Sequence, residues 1–291
     1  MNYRSIYRPG LFDGQSIIIT GGGSGIGRCT AHELVALGAR VALIGRSMDK
    51  LETVKEELAK EGGEATIHGC DIRNEEAVRD TVADVIQQHG AIHGLVNNAG
   101  GQFPSLLENI SFNGWEAVVR NNLTGGFLFS RECYTQWMRD NGGGSIVNII
   151  ADMWNSMPGM GHSGAARKGM LSLTETAALE WAPAGVRVNA VAPGLIISSG
   201  MYNYPESWIS RVKARIASHP VKRLGTESEI SAGIVFMLSE AAAFITGSCL
   251  RIDGGAPNIR MNWDIPDHKN NKPYNGFHLA DVPEFLREEE G

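Results

Sequence analysis

The sequence predicts an α/β fold built on one doubly wound parallel sheet of about seven strands. Short runs rich in β-branched residues alternate with longer windows in which apolar residues recur at helical spacing. The composition, 43% hydrophobic over 291 residues, is sufficient for a large core. Strands that alternate with helices pair in parallel and are covered on both faces. These observations favour a single layered domain over a bundle or an all-β fold.

The predicted strands can be justified in chain order from their β-branched content. The first, SIIIT, is followed by a helical window that reaches Gly38. Leu51, Val54 and Leu58 recur at helical spacing after the second strand, and a similar stripe of valines begins at Val78 after the third. The predicted strands are residues 16–20, 41–45, 65–69, 92–96, 145–150, 186–192 and 249–253.

No repeat, low-complexity segment or linker divides the chain, so we expect one domain over residues 11–255. Residues 256–291 form a polar C-terminal extension. Trp263, Phe277, Leu279 and Phe285 are spaced too widely there to predict a helix. The extension is expected either to wrap a neighbouring subunit or to trail from the domain.

Charge and apolar patterning exclude several classes of function. The formal net charge of −6 argues against nucleic acid or an anionic membrane as the main partner. No uninterrupted apolar stretch is long enough to span a bilayer, and the first residues lack the apolar core of a secretory signal. We therefore expect a cytoplasmic protein with a small-molecule ligand.

The cysteines and histidines do not form a metal-binding pattern. Cys29, Cys70, Cys133 and Cys249 are scattered without CxxC spacing, which is typical of buried thiols in a reducing compartment. His89 and His93 stand four residues apart, but Gly90 interrupts the helix between them. No metal site is predicted.

The segment TGGGSGIG lies between the first strand and the first helix. Glycines allow the backbone to turn tightly and to approach a ligand, and the free N–H groups at a helix start favour a pyrophosphate. In this position the segment predicts a dinucleotide site rather than a plain turn. Its predicted cofactor-binding residues are Thr20, Gly21, Gly23, Ser24, Gly25, Ile26 and Gly27.

The end of the second strand predicts which dinucleotide binds. NAD-binding proteins usually carry an acidic residue there, whereas arginine attracts the 2′-phosphate of NADP. Here Arg46 follows Gly45. We therefore predict NADP(H) with Arg46 on the 2′-phosphate; the alternative is that Arg46 is only a solvated residue at a helix start.

With these residues in view, residues 11–255 resemble the short-chain dehydrogenase/reductase family and its Rossmann-type fold. The matching motifs are TGGGSGIG, the Asp71 position, NNAG at 97–100, NNLTG at 121–125, PG at 193–194 and DGG at 253–255. The resemblance implies a homo-oligomer, a tetramer or in some members a dimer, formed through the long helices around the fifth strand. It also implies further cofactor contacts from Asp71, Ile72, Asn98, Ala99, Gly100, Lys168, Pro193, Gly194, Ile196 and Ser198.

The family's catalytic set of Asn, Ser, Tyr and Lys is only partly present. If Lys168 occupies the lysine position, the tyrosine of the YxxxK pattern falls on Gly164 and the serine falls on Ala151. Asn122 and Lys168 are then the catalytic residues that remain. The nearest polar candidates are Ser163 and His162, which could bond a substrate oxygen or relay a proton, although a role at the helix start competes for each.

The absent tyrosine restricts the reactions that remain open. Reduction of a ketone leaves an alkoxide, which needs a proton donor within hydrogen-bond reach, and glycine offers none. If hydride instead adds to the β-carbon of an enoyl thioester, the charge delocalises as an enolate that hydrogen bonds can stabilise. The sequence therefore favours reduction of a carbon–carbon double bond.

Within the family, the chain is most similar to peroxisomal trans-2-enoyl-CoA reductases and 2,4-dienoyl-CoA reductases. GGQF at 100–103, SIVNII followed by HSGAAR, and IPDH at 265–268 carry this similarity. The likeness predicts an NADPH-dependent enoyl- or dienoyl-CoA reductase. The opening YRPGLF resembles citronellol/citronellal dehydrogenases, which keeps a terpenoid alcohol or aldehyde substrate open, and a catalytically inactive NADP-binding protein is a third hypothesis.

Broad and flexible apolar side chains follow the fifth and sixth strands, near the edge where such sheets bind ligands. They suit an apolar acyl or prenyl chain; packing in the core or at a subunit contact is the alternative for each. Together with two residues of the GGQF segment, the predicted substrate pocket comprises Gln102, Phe103, Met153, Trp154, Met160, Met201 and Trp208.

Overall fold

The computed structural model describes residues 2–203 and 206–286, and it confirms the predicted α/β fold. Seven parallel strands form one sheet in the order β3-β2-β1-β4-β5-β6-β9, and β7 and β8 form a separate short pair. In chain order, β1 to β9 are Ser16–Thr20, Arg40–Gly45, Ala65–Gly69, Gly94–Asn97, Gly144–Ile149, Val186–Pro193, Ile196–Ile197, Gly225–Thr226 and Cys249–Ile252.

Eight α-helices in the described part of the chain connect these strands. In chain order, α1 to α8 are Gly25–Ala36, Met48–Lys60, Glu75–His89, Phe112–Val119, Gly125–Cys133, Gly161–Glu180, Glu206–Ser218 and Glu227–Leu238. Two π-helical turns, Arg120–Thr124 and Tyr134–Met138, flank α5. None of the helices in the described ranges is both long and apolar enough to cross a membrane.

The isoleucine run of β1 shows why the strands read as continuous apolar segments. Ile17 and Ile19 belong to the core on one face of the sheet, and Ile18 belongs to the core on the other face. All three side chains are fully buried or nearly so. Because successive side chains of a strand point to opposite faces, a sheet covered on both sides requires apolar residues at every position.

All seven predicted sheet strands are present, with ends that shift by up to two residues. β4 begins at Gly94 rather than at residue 92. Left-handed Gly90 caps α3, and Ile92 is buried before the ladder with β1 begins at Gly94. The two-residue strands β7 and β8 carry no periodic pattern and were not predicted.

The strand order determines where a ligand can bind. Connections from β1 run outward through β2 to β3, and the chain then returns to place β4 on the other side of β1. Loops at the carboxyl ends of β1 and β4 therefore diverge, and a crevice opens between them. In such sheets, ligands bind in this crevice.

The C-terminal extension folds back onto the domain. Phe277 is buried beside Tyr3 and His32, and the Arg28 guanidinium lies 5.3 Å from the centre of its ring. The Ser228 hydroxyl accepts hydrogen bonds from the backbone N–H groups of Gly276 and Phe277. These contacts attach the extension to the starts of α1 and α8.

The N-terminal segment is attached through a buried carboxylate on α1. Glu33 is completely buried and accepts hydrogen bonds from the hydroxyls of Tyr3 at 3.0 Å, Ser5 at 2.8 Å and Ser231 at 2.5 Å. A carboxylate is costly to bury unless such donors compensate it. Glu33 therefore joins the N-terminal segment, α1 and α8.

Replacing Tyr3 with Phe should lower the free energy of unfolding by about 2 kcal/mol, because a buried carboxyl group loses one of its donors. The matched control is Tyr7→Phe, which removes a 2.7 Å bond to the Ala232 carbonyl. That neutral bond should contribute only about 1 kcal/mol. Urea denaturation of both variants measures the difference, and equal losses would contradict the special role of Glu33.

Candidate active site

A cleft of about 970 Å³ opens at the carboxyl edge of the sheet. One end lies against Arg46 and Asp71 beyond β2 and β3, and the other lies against Ile259 of the C-terminal extension. The glycine-rich loop after β1 also lines the cleft. The loop of residues 150–160, the segment after β6 and the start of the C-terminal extension line the same cleft, and the part that they line is referred to below as the outer compartment.

The glycine-rich loop is packed so closely that side chains are excluded. A Cβ atom on Gly27 would lie 2.3 Å from the Gly21 carbonyl oxygen, and one on Gly22 would lie 2.9 Å from Leu43. Gly21 and Gly25 adopt left-handed backbone angles, with φ of 67° and 56°. The Ser24 side chain does not cap α1, so it does not compete with a ligand for the first N–H groups of the helix. This cradle fits a dinucleotide pyrophosphate.

Two of the predicted cofactor-binding residues brace this loop. The Asn98 side-chain amide donates to the carbonyls of Thr20 and Gly21, at 3.0 and 3.2 Å. The Thr20 hydroxyl accepts from the backbone N–H groups of Asn98 and Ala99, both at 3.0 Å. Thr20 and Gly27 lie beneath the cleft surface, whereas Gly21, Gly23, Ser24, Gly25, Ile26, Asn98, Ala99 and Gly100 line it.

The end beyond β2 and β3 carries more than one cation. Arg46 and Lys50 line the cleft, and both are exposed. Asp71 also lines it, but its carboxylate is held by the Arg73 guanidinium at 2.6 Å. Hydrogen bonding to Arg73 lowers the pKa of Asp71 to about 2, with a further contribution from the charge of Arg46. Ile72 completes this side of the cleft.

The loop after β6 forms the opposite wall. Pro193, Gly194, Ile196 and Ser198 all line the cleft, as the motif predicts. A Cβ atom on Gly194 would lie 2.8 Å from the Cα atom of Asp253, so β9 packs directly against this turn. The Pro193 carbonyl accepts from the Asp152 backbone N–H at 3.0 Å, which ties the loop to the end of β5.

Asn122 lies in the π-helical turn between α4 and α5 and is buried. Its amide donates to the carbonyls of Gly101 at 2.6 Å and Val118 at 2.8 Å, and its Oδ1 accepts from the Gly101 N–H at 3.2 Å. The π turn is a local distortion of the helix at this residue. Asn122 therefore positions the loop that carries Gly100 and Gln102.

Lys168 does not line the cleft. Its side chain is exposed, and its ammonium lies 5.6 Å from the centre of the Trp154 ring. The neighbouring Arg167 lines the cleft instead, donates to the Ile149 carbonyl at 2.5 Å and lies next to Gly100. Successive helical residues are rotated by about 100°, so only one of the two cations can face the site.

The sequence pattern did not indicate Arg167, because the family motif specifies a lysine and Lys168 occupies that position. A detectable signal was the four-residue spacing between Ser163 and Arg167, which puts both on one face of α6. Gly164 and Lys168, the positions aligned with the family pattern, lie on the next face. Ala151 lines the cleft as expected for the serine position, and it offers no polar side chain.

Ser163 and His162 are completely buried behind the cleft wall. The Ser163 hydroxyl donates a short hydrogen bond to Oε1 of Gln102, and Gln102 itself lines the cleft. The Nδ1 atom of His162 accepts from the Ser163 backbone N–H at 3.0 Å, and its ring stands edge-on to Phe103. Neither side chain lines the cleft; Ser163 acts on it through Gln102.

The predicted substrate-pocket residues divide into two groups. Gln102, Trp154, Met160 and Met201 line the cleft. Met153 does not: it is 2% exposed and packs in the core with Ile150 and Met170. Phe103 also lies outside the lining, half-exposed against His162. The side chain of Trp208 lies outside the described residues.

The structure adds polar lining residues that no motif indicated. The cleft is also lined by Asp152, Arg215 and His219. Burial, and then the charge of Asp253, raise the pKa of the Asp152 carboxyl. Burial lowers the pKa of His219. Asp152 lies more than sixty residues before Arg215 and His219 in the sequence, so only the fold reveals that they share the cleft. Within the described ranges, no group of three or more potential ligands could hold a metal ion.

The fold and the nucleotide cradle define a dinucleotide-binding protein, and comparisons with known proteins specify the family. The family model described as Enoyl-(Acyl carrier protein) reductase matches residues 21–257. The chain therefore belongs to the short-chain dehydrogenase/reductase family, as its motifs indicate.

Individual relatives carry different names. A probable 2,4-dienoyl-CoA reductase [(2E)-enoyl-CoA-producing] of Bacillus subtilis is 36% identical over 83% of this chain and 96% of its own. A glucose 1-dehydrogenase of Gluconobacter oxydans is 39% identical, covering 87% and 96%. The solved structure of the citronellol catabolism dehydrogenase (AtuB) of Pseudomonas aeruginosa PAO1 is 56% identical, with a TM-score of 0.79 over 88% of this chain and 100% of that chain.

One further carboxyl group lies beside the glycine-rich loop. A Cβ atom on Gly25 would lie 3.8 Å from Oε1 of Glu227, and Glu227 is only 4% exposed. Burial raises the pKa of Glu227 to about 7; the nearby Arg28 opposes this shift, and Asp281 adds to it. The start of α8 thus places a titrating group behind the phosphate cradle.

Replacing Glu227 with Gln should stabilise the protein at pH 8.5 and have little effect near pH 5. The folded-state pKa of about 7 exceeds the ordinary value of 4.5, so the favourable contribution is present at low pH and is lost as the pH rises through 7. The gain at pH 8.5 should approach about 3 kcal/mol. Urea denaturation across this range, with exposed Glu56→Gln as control, tests it; parallel profiles for wild type and E227Q would contradict the assignment.

Proposed function

We propose that this enzyme uses NADPH to reduce the α,β double bond of an enoyl-CoA or dienoyl-CoA thioester. The observation that carries the proposal is that no tyrosine lines the cleft among the described side chains, while Arg167 and Gln102 do. Both can donate hydrogen bonds, but neither releases a proton near neutral pH. Such donors suit an enolate, which must be stabilised at oxygen without being protonated there.

The roles of these side chains follow from their contacts. A bound NADPH would supply the hydride, and the α-carbon of the enolate would then take its proton from water. The Ser163 hydroxyl donates to Oε1 of Gln102, which fixes the orientation of the amide at the cleft. The Ile149 carbonyl anchors one nitrogen of Arg167 and fixes the guanidinium beside Gly100. Ser163 and Asn122 are thus positioning residues, and Gln102 and Arg167 are the candidates for direct contact.

The cleft lining supports an apolar substrate chain. The outer compartment is lined by Trp154, Met157, Met160, Met201 and Ile259. Methionine side chains adapt to flexible apolar groups. The likeness to a glucose 1-dehydrogenase shows that relatives at this identity carry names with different substrates, so the lining, rather than identity, supports an acyl chain here.

Oxidation of a terpenoid alcohol is the second candidate. It is favoured by the 56% identity to the protein named citronellol catabolism dehydrogenase. This reaction needs a general base, and two side chains that can serve as one line the cleft: the Asp152 carboxyl, whose pKa is raised, and His219, whose pKa is lowered. A catalytically inactive NADP-binding protein is the remaining alternative.

Spectrophotometric assays separate these functions. Oxidation of NADPH on addition of crotonyl-CoA or a 2,4-dienoyl-CoA is expected. Reduction of NADP⁺ by citronellol, with no turnover of either thioester, would overturn the proposal in favour of the second candidate. Tight cofactor binding without turnover in either direction would support the inactive alternative.

We also propose a cytoplasmic homo-oligomer, with a tetramer as the expected state. Large apolar side chains on the helices around β5 support it: Phe112 is 77% exposed on α4, and Leu179 is 79% exposed on α6. Trp115 and Phe127 are exposed nearby in sequence. Large apolar side chains that remain exposed on these helices are candidates for subunit contacts.

Replacing Arg46 with Asp should raise the Kd for NADPH at least about tenfold, because a cation is exchanged for an anion next to the 2′-phosphate. NADH binding should change little or improve. Lys60→Asp, at the far end of α2, controls for net charge. Calorimetric titration with both cofactors measures the effect, and an unchanged preference for NADPH would remove Arg46 from this role.

Replacing Arg167 with Met should lower kcat for enoyl-CoA reduction about a hundredfold or more, as expected when a charge-stabilising donor is lost. Arg167→Lys should recover part of the activity because it restores the charge. Lys168→Met, one residue further along α6, should change kcat less than about threefold, since an exposed lysine contributes little. A larger loss in the Lys168 variant than in the Arg167 variant would restore the assignment made from sequence.

A further inference from the structure

The outer compartment of the cleft is enclosed by two segments that are far apart in sequence. One is the β5–α6 loop, residues 150–160, which contributes Trp154, Asn155, Ser156 and Met157 to the lining. The other is the start of the C-terminal extension, which contributes Ala256, Pro257 and Ile259. An apolar chain that enters this compartment would contact both segments.

A hydrogen bond joins the two segments. The Asn155 side-chain amide donates to the Pro257 carbonyl at 2.8 Å, across 102 residues of sequence. Eight residues further on, the Lys222 ammonium donates to the Ile265 carbonyl at 3.0 Å and lies 3.4 Å from the Asp267 carboxylate. The segment between these attachments, residues 257–265, is referred to below as the strap.

Both attachments come from residues in an unusual backbone conformation. In the described part of the chain, the non-glycine residues with positive φ are Asn155 at 65°, Ser156 at 80° and Lys222 at 55°. Asparagine tolerates this conformation, but serine and lysine rarely adopt it. Residues held in such conformations require support from the surrounding structure and cluster at ligand-binding segments.

Two residues of the strap, Pro257 and Ile259, line the cleft, and residues 258–264 are exposed. Ile259 lines the compartment, whereas Met261 is fully exposed and Trp263 is 73% exposed. The strap therefore has little apolar packing of its own to hold it over the cleft. A short 3₁₀ turn, Ala256–Asn258, continues from β9 into its first end, and the side-chain attachments that hold it to the rest of the domain come from Asn155 and Lys222.

We propose that the strap is the wall that selects substrates by chain length, and that Asn155 positions it. Ile259 would contact the distal part of a long acyl chain, whereas a four-carbon acyl group would end before it. Loss of the Asn155 bond would free one end of the strap and weaken binding of long chains only. The chain-length part of this inference rests on the proposed acyl-CoA function; the attachment of the strap does not.

The test compares two glycine substitutions at adjacent positions. Asn155→Gly and Ser156→Gly both place glycine at a positive φ, so both relieve the backbone, but only Asn155→Gly removes the bond to Pro257. Asn155→Asp is the second variant, because it retains the tolerance of positive φ and replaces the donor with an acceptor. Two readouts are measured on the full-length protein: tryptic cleavage after Arg260, and KM for crotonyl-CoA and trans-2-dodecenoyl-CoA.

We expect Asn155→Gly and Asn155→Asp to accelerate cleavage after Arg260 about tenfold, as expected when a segment gains a local opening. KM for dodecenoyl-CoA should rise about five- to tenfold, with kcat and the KM for crotonyl-CoA unchanged. Ser156→Gly, which leaves the bond to Pro257 in place, should be cleaved at the wild-type rate. Identical cleavage rates in the Asn155 and Ser156 variants would overturn the attachment, and an equal rise of KM for both thioesters would overturn chain-length selection.

The two proposals fail in different ways. If wild type turns over neither thioester, the acyl-CoA function is wrong, and the cleavage rates still decide whether Asn155 holds the strap. In that case, KM is measured for citronellol and for 1-butanol, and selection is overturned if the Asn155 variants change both values equally. Accelerated cleavage with no change in either KM would mean that the strap is attached but takes no part in substrate selection.

Discussion

The reversal of strand order between β1 and β4 is the constraint on which the site depends. It separates the loops at the carboxyl ends of these strands and leaves backbone N–H groups at the start of α1 facing a crevice. Keeping that crevice open requires a loop with almost no side-chain volume, braced from the β4 side by Asn98. The nucleotide cradle is thus a direct result of topology combined with glycine.

In the proposed reaction, the other half of the cleft acts through hydrogen-bond donors that retain their protons. A phenol can both donate a hydrogen bond and release a proton. An amide and a guanidinium can donate hydrogen bonds, but neither releases a proton at neutral pH. Gln102 is oriented by a buried serine, and Arg167 by a strand-end carbonyl, so both are fixed before a substrate arrives. Such preorganised donors stabilise developing negative charge without reorganisation during the reaction.

The N-terminal segment and the described part of the C-terminal extension both reach the nucleotide half of the molecule. Tyr3 and Ser5 bind Glu33 in the middle of α1, and Phe277 packs beside the same helix. Glu227 lies at the start of α8, next to Gly25, with Asp281 of the extension among the charges that affect it. Stability, cofactor binding and the position of the extension are therefore physically coupled through α1 and α8.

The sequence by itself determined the parallel sheet and the nucleotide loop, because both depend on local properties. β-Branched runs such as SIIIT predict buried strands, and glycines between a strand and a helix predict a phosphate cradle regardless of what lies elsewhere in the chain. The order of elements then predicts which strand ends form the site.

Only the tertiary structure decided which side chains reach the cleft. Whether Arg167 or Lys168 faces it depends on the rotation of α6, which is set by the packing of buried residues such as Ala166 and Met170. Met153 was predicted in the pocket but turns into the core, while Asp152 beside it lines the cleft. The approach of Asn155 to Pro257 joins residues that are distant in sequence. Local pattern cannot specify these contacts, because each one is fixed by how separate elements pack together.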